Sequence, residues 1–135
     1  MKLKNTLALI TIFFLSISFG FAQDLRQGGS SFGRVESDGA VRIKGSIKGK
    51  FESNGDIRVS GSVKGKIESN GDIRKSGSVI GKVESNGDVR ISGSVVGKIE
   101  NNGDIRKRGS VVGSAKGVEK ERAAVIFFFD FFKID

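Results

Sequence analysis

The sixteen residues GKIESNGDIRKSGSVI at positions 65–80 are followed at once by GKVESNGDVRISGSVV at positions 81–96. Five such copies run from Gly33 to Val112 without an insertion. Residues 23–32 match the copies only at Gly29 and Ser30, and the pattern is lost again after residue 112. The sequence therefore predicts a repeat domain over residues 33–112, with a short lead-in segment at 23–32 before it.

Within each copy, apolar or small residues alternate with polar residues. Counted from the first glycine, most odd positions hold Gly, Val, Ile or Ser, and most even positions hold Lys, Glu, Asn, Asp, Arg or Ser. A period of two is typical of a β-strand with one face buried and the other in solvent. We therefore predict that the repeat domain is all-β.

The Asn-Gly pair in the copies is a strong signal for a β-hairpin turn. A two-residue Asn70-Gly71 loop would pair Ile67 with Arg74, which puts Ile67 and Ile73 on opposite faces of the sheet. Splitting the apolar residues in this way argues against that register. A sheet of hairpins remains the alternative arrangement, and it needs longer loops than Asn-Gly alone.

The favoured arrangement is a short three-sided β-solenoid of five 16-residue coils. The glycines at repeat positions 1, 7 and 13 would mark its bends. A single coil cannot bury its apolar side chains alone, so it must stack on copies of itself. Stacking predicts three inward ladders, which place Ile67 above Val83, Ile73 above Val89, and Val79 above Val95.

Repeat position 11 does not fit an apolar interior, because two of the copies carry Lys75 and Lys107 there. A buried, unpaired lysine is costly. We therefore expect position 11 to lie at a corner where the lysine side chain can reach solvent.

Stacking also aligns the basic residues on the outer face. Rows of Lys and Arg at a spacing of about 5 Å can follow a chain of repeating negative charge. The candidate residues for an anionic ligand are Lys50, Lys66, Lys82, Lys98, Arg58, Arg74, Arg90 and Arg106. Glu and Asp rows lie beside them, which weakens the field that a ligand would meet.

The C-terminal segment, residues 113–135, carries five phenylalanines within six positions: Phe127, Phe128, Phe129, Phe131 and Phe132. One interpretation is a cap over the open end of the solenoid, since exposed strand edges need cover. The other is an interaction segment that contacts a membrane surface or a second subunit. Periodicity does not decide between a helix and a strand.

Residues 1–22 have the layout of a secretory signal peptide: Lys2 and Lys4, an apolar run, then Gly20 and Ala22 before a cleavage point at Gln23. The alternative is an uncleaved membrane anchor. Cleavage removes two lysines, so the formal charge falls from +8 to +6. We expect an exported protein that is periplasmic, on the cell surface or secreted.

Several function classes have little support. The chain contains no Cys and no His, so it can build neither a typical zinc site nor a Ser-His triad. We expect no enzyme activity, no cofactor and no nucleic-acid partner. The SNGD element has ligand types that suit calcium, but a turn explains Asn-Gly and Asp without an ion.

The combination of I/V-x-G-K-I/V-E, S-N-G-D-I/V-R and S-G-S-V over residues 33–112 resembles the bactofilin family. The resemblance implies a right-handed, three-sided β-helix that polymerises end to end without nucleotide. Two features depart from that family, namely the signal peptide and the greater regularity of the repeat. We predict a structural protein that self-associates or binds envelope components. The alternative is a monomeric module that binds anionic envelope glycans or lipid headgroups through its Lys and Arg rows.

Overall fold

A computed structural model of the chain describes residues 23–134. The predicted signal peptide at 1–22 lies outside the described residues. Twelve β-strands precede one helix, α1, at Lys120–Phe128. The strands are β1 Asp24–Gln27, β2 Ser30–Val35, β3 Ala40–Ile43, β4 Ser46–Phe51, β5 Asp56–Val59, β6 Ser62–Ile67, β7 Asp72–Lys75, β8 Ser78–Val83, β9 Asp88–Ile91, β10 Ser94–Ile99, β11 Asp104–Lys107 and β12 Ser110–Ser114.

The strands form one closed barrel in which each is antiparallel to its neighbours. Strands pair in sequence order, and β1 closes the barrel by pairing with β12. Short strands of four residues alternate with longer strands of five or six. Each 16-residue period therefore supplies one short and one long strand. Residues 24–35, which overlap the expected lead-in segment, form the hairpin β1–β2 in the same pattern.

Two kinds of turn alternate along the barrel. Lys75 pairs with Ser78 across the two-residue turn Ser76-Gly77, where φ is 51° and 85°. Positive φ at both central residues is the signature of a type I′ turn. The second kind is a five-residue turn over residues 68–72, between the paired residues Ile67 and Ile73.

The five-residue turn is held by its own polar groups. The backbone N–H of Glu68 donates to the carbonyl of Asp72 at 2.8 Å, and the N–H of Asp72 donates to Asn70 Oδ1 at 3.0 Å. Gly71 supplies a φ of 94°, which a residue with a Cβ adopts only at a cost. The SNGD element thus builds a turn. We refer below to the two rims of the barrel as the long-turn end and the short-turn end.

The all-β prediction is confirmed, but the predicted three-sided solenoid of stacked coils is corrected by the strand pairing. Hydrogen bonds join antiparallel strands within and between hairpins, whereas stacked coils require parallel pairing of equivalent residues. The five-residue turn removes the objection to hairpins, because it puts Ile67 and Ile73 directly opposite each other on one face. The glycine at repeat position 1, such as Gly65, lies inside a strand and marks no bend.

The predicted inward positions are only partly confirmed. Ile73, Val83 and Val89 are buried, but the placement of Val79 and Val95 inside was wrong, since each is 48% exposed. A β-bulge causes this reversal: Ile73 pairs with Gly81 and Arg74 with Val79, which leaves Ile80 as an extra residue. The side chain of Val79 therefore points outward with Arg74, while Ile80 packs against the core.

Helix α1 runs inside the barrel from the long-turn end toward the short-turn end. At its start, the guanidinium of Arg122 lies over the ring of Phe51 at 5.3 Å. Its middle residues, Ala123 to Ile126, are buried in the same core as the strands. Nine residues span about 13 Å at the rise of an α-helix. This is about the length of a four-residue β-strand. Nowhere in residues 23–134 does a helix have the length and apolarity needed to cross a membrane.

Candidate functional site

The phenylalanines at the C-terminus fill the barrel beside the glycines that open the repeats. A Cβ added to any of these glycines would collide with a ring atom or press closely against one. The pairs are Phe127 with Gly113, Phe128 with Gly97, Phe129 with Gly81, Phe131 with Gly65, and Phe132 with Gly49. Each of five consecutive long strands thus accepts one ring.

Asp130 interrupts the run of phenylalanines without breaking this order. Its φ is 61°, and its side chain is exposed between two buried rings. Phe129 lies beside Gly81 and Phe131 beside Gly65 on the next long strand, so no long strand is skipped at Asp130. At Gly33 the three atoms nearest to an added Cβ are backbone atoms of Arg42 and Ile43, and no ring atom is among them.

The five rings are buried inside the barrel of their own chain, so little of their surface is accessible to a second subunit or a membrane. Phe127, Phe129, Phe131 and Phe132 are 3–7% exposed, and Phe128 is partly buried against the same core. Edge-to-face contacts join Phe127 to Phe32 and Phe132 to Phe51, with ring centroids 5.7 and 5.9 Å apart. The rings fill the core of a closed barrel; they do not lie over a row of exposed strand edges.

The lysines at repeat position 11 lie where the barrel opens at the short-turn end. Lys75 Nζ is 4.9 Å from the centre of the Phe131 ring, and Lys107 Nζ is 5.0 Å from that of Phe128. An ammonium over an aromatic face is attracted by the ring quadrupole. Both lysines are partly exposed, so neither ammonium is buried without a partner.

The eight basic residues proposed to bind an anion all lie on the outer face of the barrel. Lys and Arg of adjacent strands are direct neighbours in the register, rather than members of two stacked rows. The pairs are Lys50 with Arg58, Lys66 with Arg74, Lys82 with Arg90, and Lys98 with Arg106. Like charges placed opposite each other repel, so each pair needs a counter-charge.

Glutamate supplies that counter-charge to the arginine of each pair. Arg74 Nε donates to Glu68 Oε2 at 2.8 Å, and Arg74 Nη1 donates to the carbonyl of Gly77 at 2.9 Å. The same pair of contacts recurs at Arg42, Arg58, Arg90 and Arg106. Each arginine therefore joins the five-residue turn to the two-residue turn, and its charge is largely balanced locally.

The lysines of the four pairs have no such partner. Within the described residues, none of them lies within 4.0 Å of a carboxylate oxygen. On the other neighbouring strand, Asp56, Asp72 and Asp88 stand opposite Lys66, Lys82 and Lys98 in the register, whereas Lys50 faces Ala40. The positive charge that an external anion meets is therefore partly offset at three of the four lysines. From the sequence, lysine and arginine were equal candidates for binding an anion. The structure distinguishes them, because the arginines form ion pairs with glutamates and the lysines do not.

The junction that closes the barrel, here called the seam, differs from the other junctions. Strands β1 and β12 share two registered pairs, Arg26 with Ser114 and Gln27 with Gly113. The equivalent junction between β10 and β11 has three registered pairs and a covalent turn. Arg26 donates to the carbonyl of Gly29 at 2.8 Å, yet among the described residues no glutamate pairs with it.

Sequence reasoning missed two features of this barrel. The match between the five phenylalanines and five of the glycines was not visible, because six glycines, from Gly33 to Gly113, recur at the same 16-residue interval. The seam was not visible, because it depends on a strand pairing between the two ends of the array. Over residues 23–134, no group of three or more His, Cys, Asp or Glu side chains is arranged to hold a metal ion.

Comparison with known proteins gives one result. The family model named Bactofilin, described as polymer-forming cytoskeletal, matches residues 44–121. No curated protein and no solved structure matches the chain at a significant level.

Proposed function

Because the chain belongs to the bactofilin family, described as polymer-forming and cytoskeletal, we propose that it is a non-enzymatic structural protein that assembles with copies of itself. From the sequence of residues 1–22 we also propose that it is exported. The matched residues, 44–121, cover more than half of the chain and most of the repeat domain. The observation that carries the assembly mechanism is the seam between β1 and β12.

The seam uses the same backbone hydrogen bonds as the junctions inside the array. Gly28 N–H donates to the carbonyl of Val112 at 3.1 Å. One period further along, the equivalent bond from the N–H of Lys44 to the carbonyl of Phe32 is 2.8 Å. An open β12 edge therefore matches an open β1 edge in register. It makes no difference to this match whether the two edges belong to one chain or to two.

Assembly follows if the seam opens and β12 of one chain pairs with β1 of the next. Unpaired strand edges are templates for such pairing. A head-to-tail contact of this kind extends into a filament unless the rotation closes it into a ring. Only two residue pairs join β1 to β12, and among the described residues no glutamate pairs with Arg26. In this proposal the seam is therefore the weakest junction of the barrel.

The ring of Phe127 opposes this opening. It packs over Gly113 on β12 and against Phe32 on β2, so it bridges the two sides of the seam. Opening the seam must therefore displace Phe127. In this proposal the C-terminal segment restrains assembly instead of driving it.

A disulfide across the seam tests this mechanism, since the natural chain has no cysteine. Arg26→Cys with Ser114→Cys joins direct cross-strand neighbours, a separation compatible with a disulfide. We expect the oxidised variant to stay monomeric in sedimentation velocity at concentrations where the unmodified protein forms large species. Reduction should restore assembly.

The matched control is Lys66→Cys with Arg74→Cys, the equivalent pair at the internal β6–β7 junction. This disulfide leaves the seam free, so the oxidised control should still assemble. If both oxidised variants assemble, strand exchange at the seam is wrong while self-assembly stands. If the unmodified protein is monomeric at every concentration, self-assembly itself is wrong.

Export rests on residues 1–22 and has its own test. Fusing these residues to a reporter enzyme that is active only outside the cytoplasm should give activity. Replacing Lys2 and Lys4 with glutamate should reduce it, because the basic n-region is part of the export signal. An inactive fusion would contradict export without bearing on assembly.

The second candidate is a monomeric module that binds an anionic polymer, and the unpaired lysines on the outer face favour it. Replacing Lys50, Lys66, Lys82 and Lys98 with glutamine should abolish salt-sensitive retention on immobilised dextran sulfate. Replacing Arg58, Arg74, Arg90 and Arg106, which pair with glutamates, should reduce retention less. Equal losses in the two sets would contradict the assignment to the lysines.

A further inference from the structure

The charges of the barrel are separated along its axis. The carboxylates of the repeats stand at positions 4 and 8, or 4 and 6 in the first copy, in or beside the five-residue turns at the long-turn end. The segments around the two-residue turns, from position 11 to position 16, contain no carboxylate in any copy. Those segments hold Lys44, Lys48, Lys64, Lys75, Lys107 and Arg108. The short-turn end is therefore basic.

A cavity of about 450 Å³ opens at this end beside the β3–β4 turn. Ile43, Val59, Phe131 and Phe132 form its apolar wall. Its polar lining comprises Lys44, Ser46, Lys48, Ser60 and Lys133. This volume falls within the range of about 300–1,000 Å³ found for small-molecule sites.

The lining of this cavity differs from that of four other depressions on the barrel. Each of those four includes an aspartate beside its lysine or arginine: Asp56, Asp72, Asp88 or Asp104. No carboxylate lines the cavity at the β3–β4 turn. Among the described residues, none lies within 4.0 Å of the ammonium groups of Lys44, Lys48 and Lys133.

Only the first copy of the repeat carries both Lys44 and Lys48. Lys44 is the first residue of the two-residue turn in the first copy of the repeat. The next three copies have serine there, with the same positive φ: Ser60, Ser76 and Ser92. Where Lys48 stands on β4, the last copies have Val96 and Val112. The repeat fold thus requires lysine at neither position. The two charges, with Lys133, are concentrated around one apolar opening.

From this lining we propose that the cavity binds a single-chain anionic amphiphile, a molecule with a hydrocarbon tail and a carboxylate or phosphate head. The tail lies against Val59 and the small parts of the Phe131 and Phe132 rings that reach the surface. The head accepts hydrogen bonds from the lysine ammonium groups, with Ser46 and Ser60 hydroxyls beside them. The site does not depend on self-assembly, because all of its residues belong to one chain.

Dodecanoate below its micellar concentration is the first probe, with binding to the purified protein measured by isothermal titration calorimetry. We expect saturable binding near one molecule per chain, which weakens as salt is raised. Dodecyltrimethylammonium, which has the same tail and a cationic head, should not bind. Equal binding of both probes would overturn the proposal, since the lysines would then have no role.

The matched variants come from the repeat itself. Lys44→Ser with Lys48→Val installs residues that other copies carry at the same positions, so the barrel should fold normally. We expect dodecanoate affinity to fall about tenfold, because two contacts with exposed charges are lost. Lys64→Val is the control, because Lys64 is the equivalent of Lys48 one copy later and does not line the cavity.

Three results would each overturn the proposal. The first is unchanged affinity in the double variant with a normal unfolding transition. The second is an equal loss in Lys64→Val, which would mean that only the general basic charge matters. The third is pelleting with phosphatidylglycerol vesicles while monomeric dodecanoate does not bind, which would assign the basic end to a membrane surface instead of a pocket.

Discussion

Gly65 has no side chain, and the ring of Phe131 lies where its Cβ would stand, with two ring atoms 2.7 Å from that point. A backbone carbonyl, that of Arg74, closes the other side of the same space. We expect Gly65→Ala to destabilise the protein by about 1–3 kcal/mol, the usual cost of overpacking a core. Urea unfolding of the purified variant measures this change.

A double variant distinguishes the clash with the Phe131 ring from the clash with the Arg74 carbonyl. In the background of Phe131→Ala, which itself should cost about 3–5 kcal/mol, Gly65→Ala should cost less than it does alone. Fully additive effects would contradict direct contact between the two residues. Gly61→Ala is a useful comparison, because a Cβ there meets nothing within 4 Å and only its φ of 86° is unfavourable.

The ion pair between Arg74 and Glu68 should contribute little to stability. Their side chains are 40% and 33% exposed, so solvent screens the attraction. We expect Glu68→Gln to lower the free energy of unfolding by less than about 1 kcal/mol. A loss of several kcal/mol in urea unfolding would show that the pair is an essential link between the two turns.

The alternation of residues correctly predicted that Ile73 and Val89 are buried, since each is fully enclosed. It failed for Val79 because a bulge shifts the phase of the alternation by one residue. A bulge adds a residue to one strand without changing the composition of either strand. The pattern therefore carried no sign of it.

At the scale of elements, the repeat contains two glycine turns, and the sequence did not show which of them is short. Asn70-Gly71 is the stronger hairpin signal, but it lies inside a five-residue turn, while Ser76-Gly77 forms the two-residue turn. Serine occupies the left-handed region with φ of 51°. That region costs most residues roughly 1–2 kcal/mol and costs asparagine less.

Replacing Ser76 with asparagine should therefore stabilise the hairpin. We expect Ser76→Asn to raise the free energy of unfolding by about 0.5–1 kcal/mol, because asparagine visits the left-handed region more readily. Thermal and urea unfolding both measure it. Ser78→Asn, at an exposed strand position two residues later, should give no gain; an equal gain there would rule out the turn as the cause.

At the scale of the whole molecule, barrel closure joins Arg26 on β1 to Ser114 on β12, two residues at opposite ends of the array. No local pattern specifies such a contact. The same limit applies to α1, since periodicity did not decide whether the C-terminal segment is helical. Its apolar character was clear from sequence, whereas its position inside the barrel depends on how the strands close around it.

Removing residues 123–135, which include most of α1 and all five phenylalanines of the tail, should leave a barrel without a filled interior. We expect residues 23–122 to unfold with lower cooperativity than residues 23–135, and to bind a fluorescent apolar probe that the longer chain does not bind. Since Phe127 no longer bridges the seam, the shorter chain should also assemble at lower concentration in sedimentation velocity. Identical behaviour of the two chains would contradict both the filling role and the restraint.

The pairing of rings with glycines relates the length of the tail to the number of repeats. Tandem repeats are easily gained or lost in evolution, and a chain that lost one 16-residue copy would close a narrower barrel. That barrel would have one phenylalanine with no glycine to receive it. A chain that gained a copy would have a second long strand, besides β2 with Gly33, whose glycine has no ring beside it. The number of phenylalanines in the tail is therefore linked to the number of repeats. We expect a change in repeat number to be tolerated only when the number of aromatic residues changes with it.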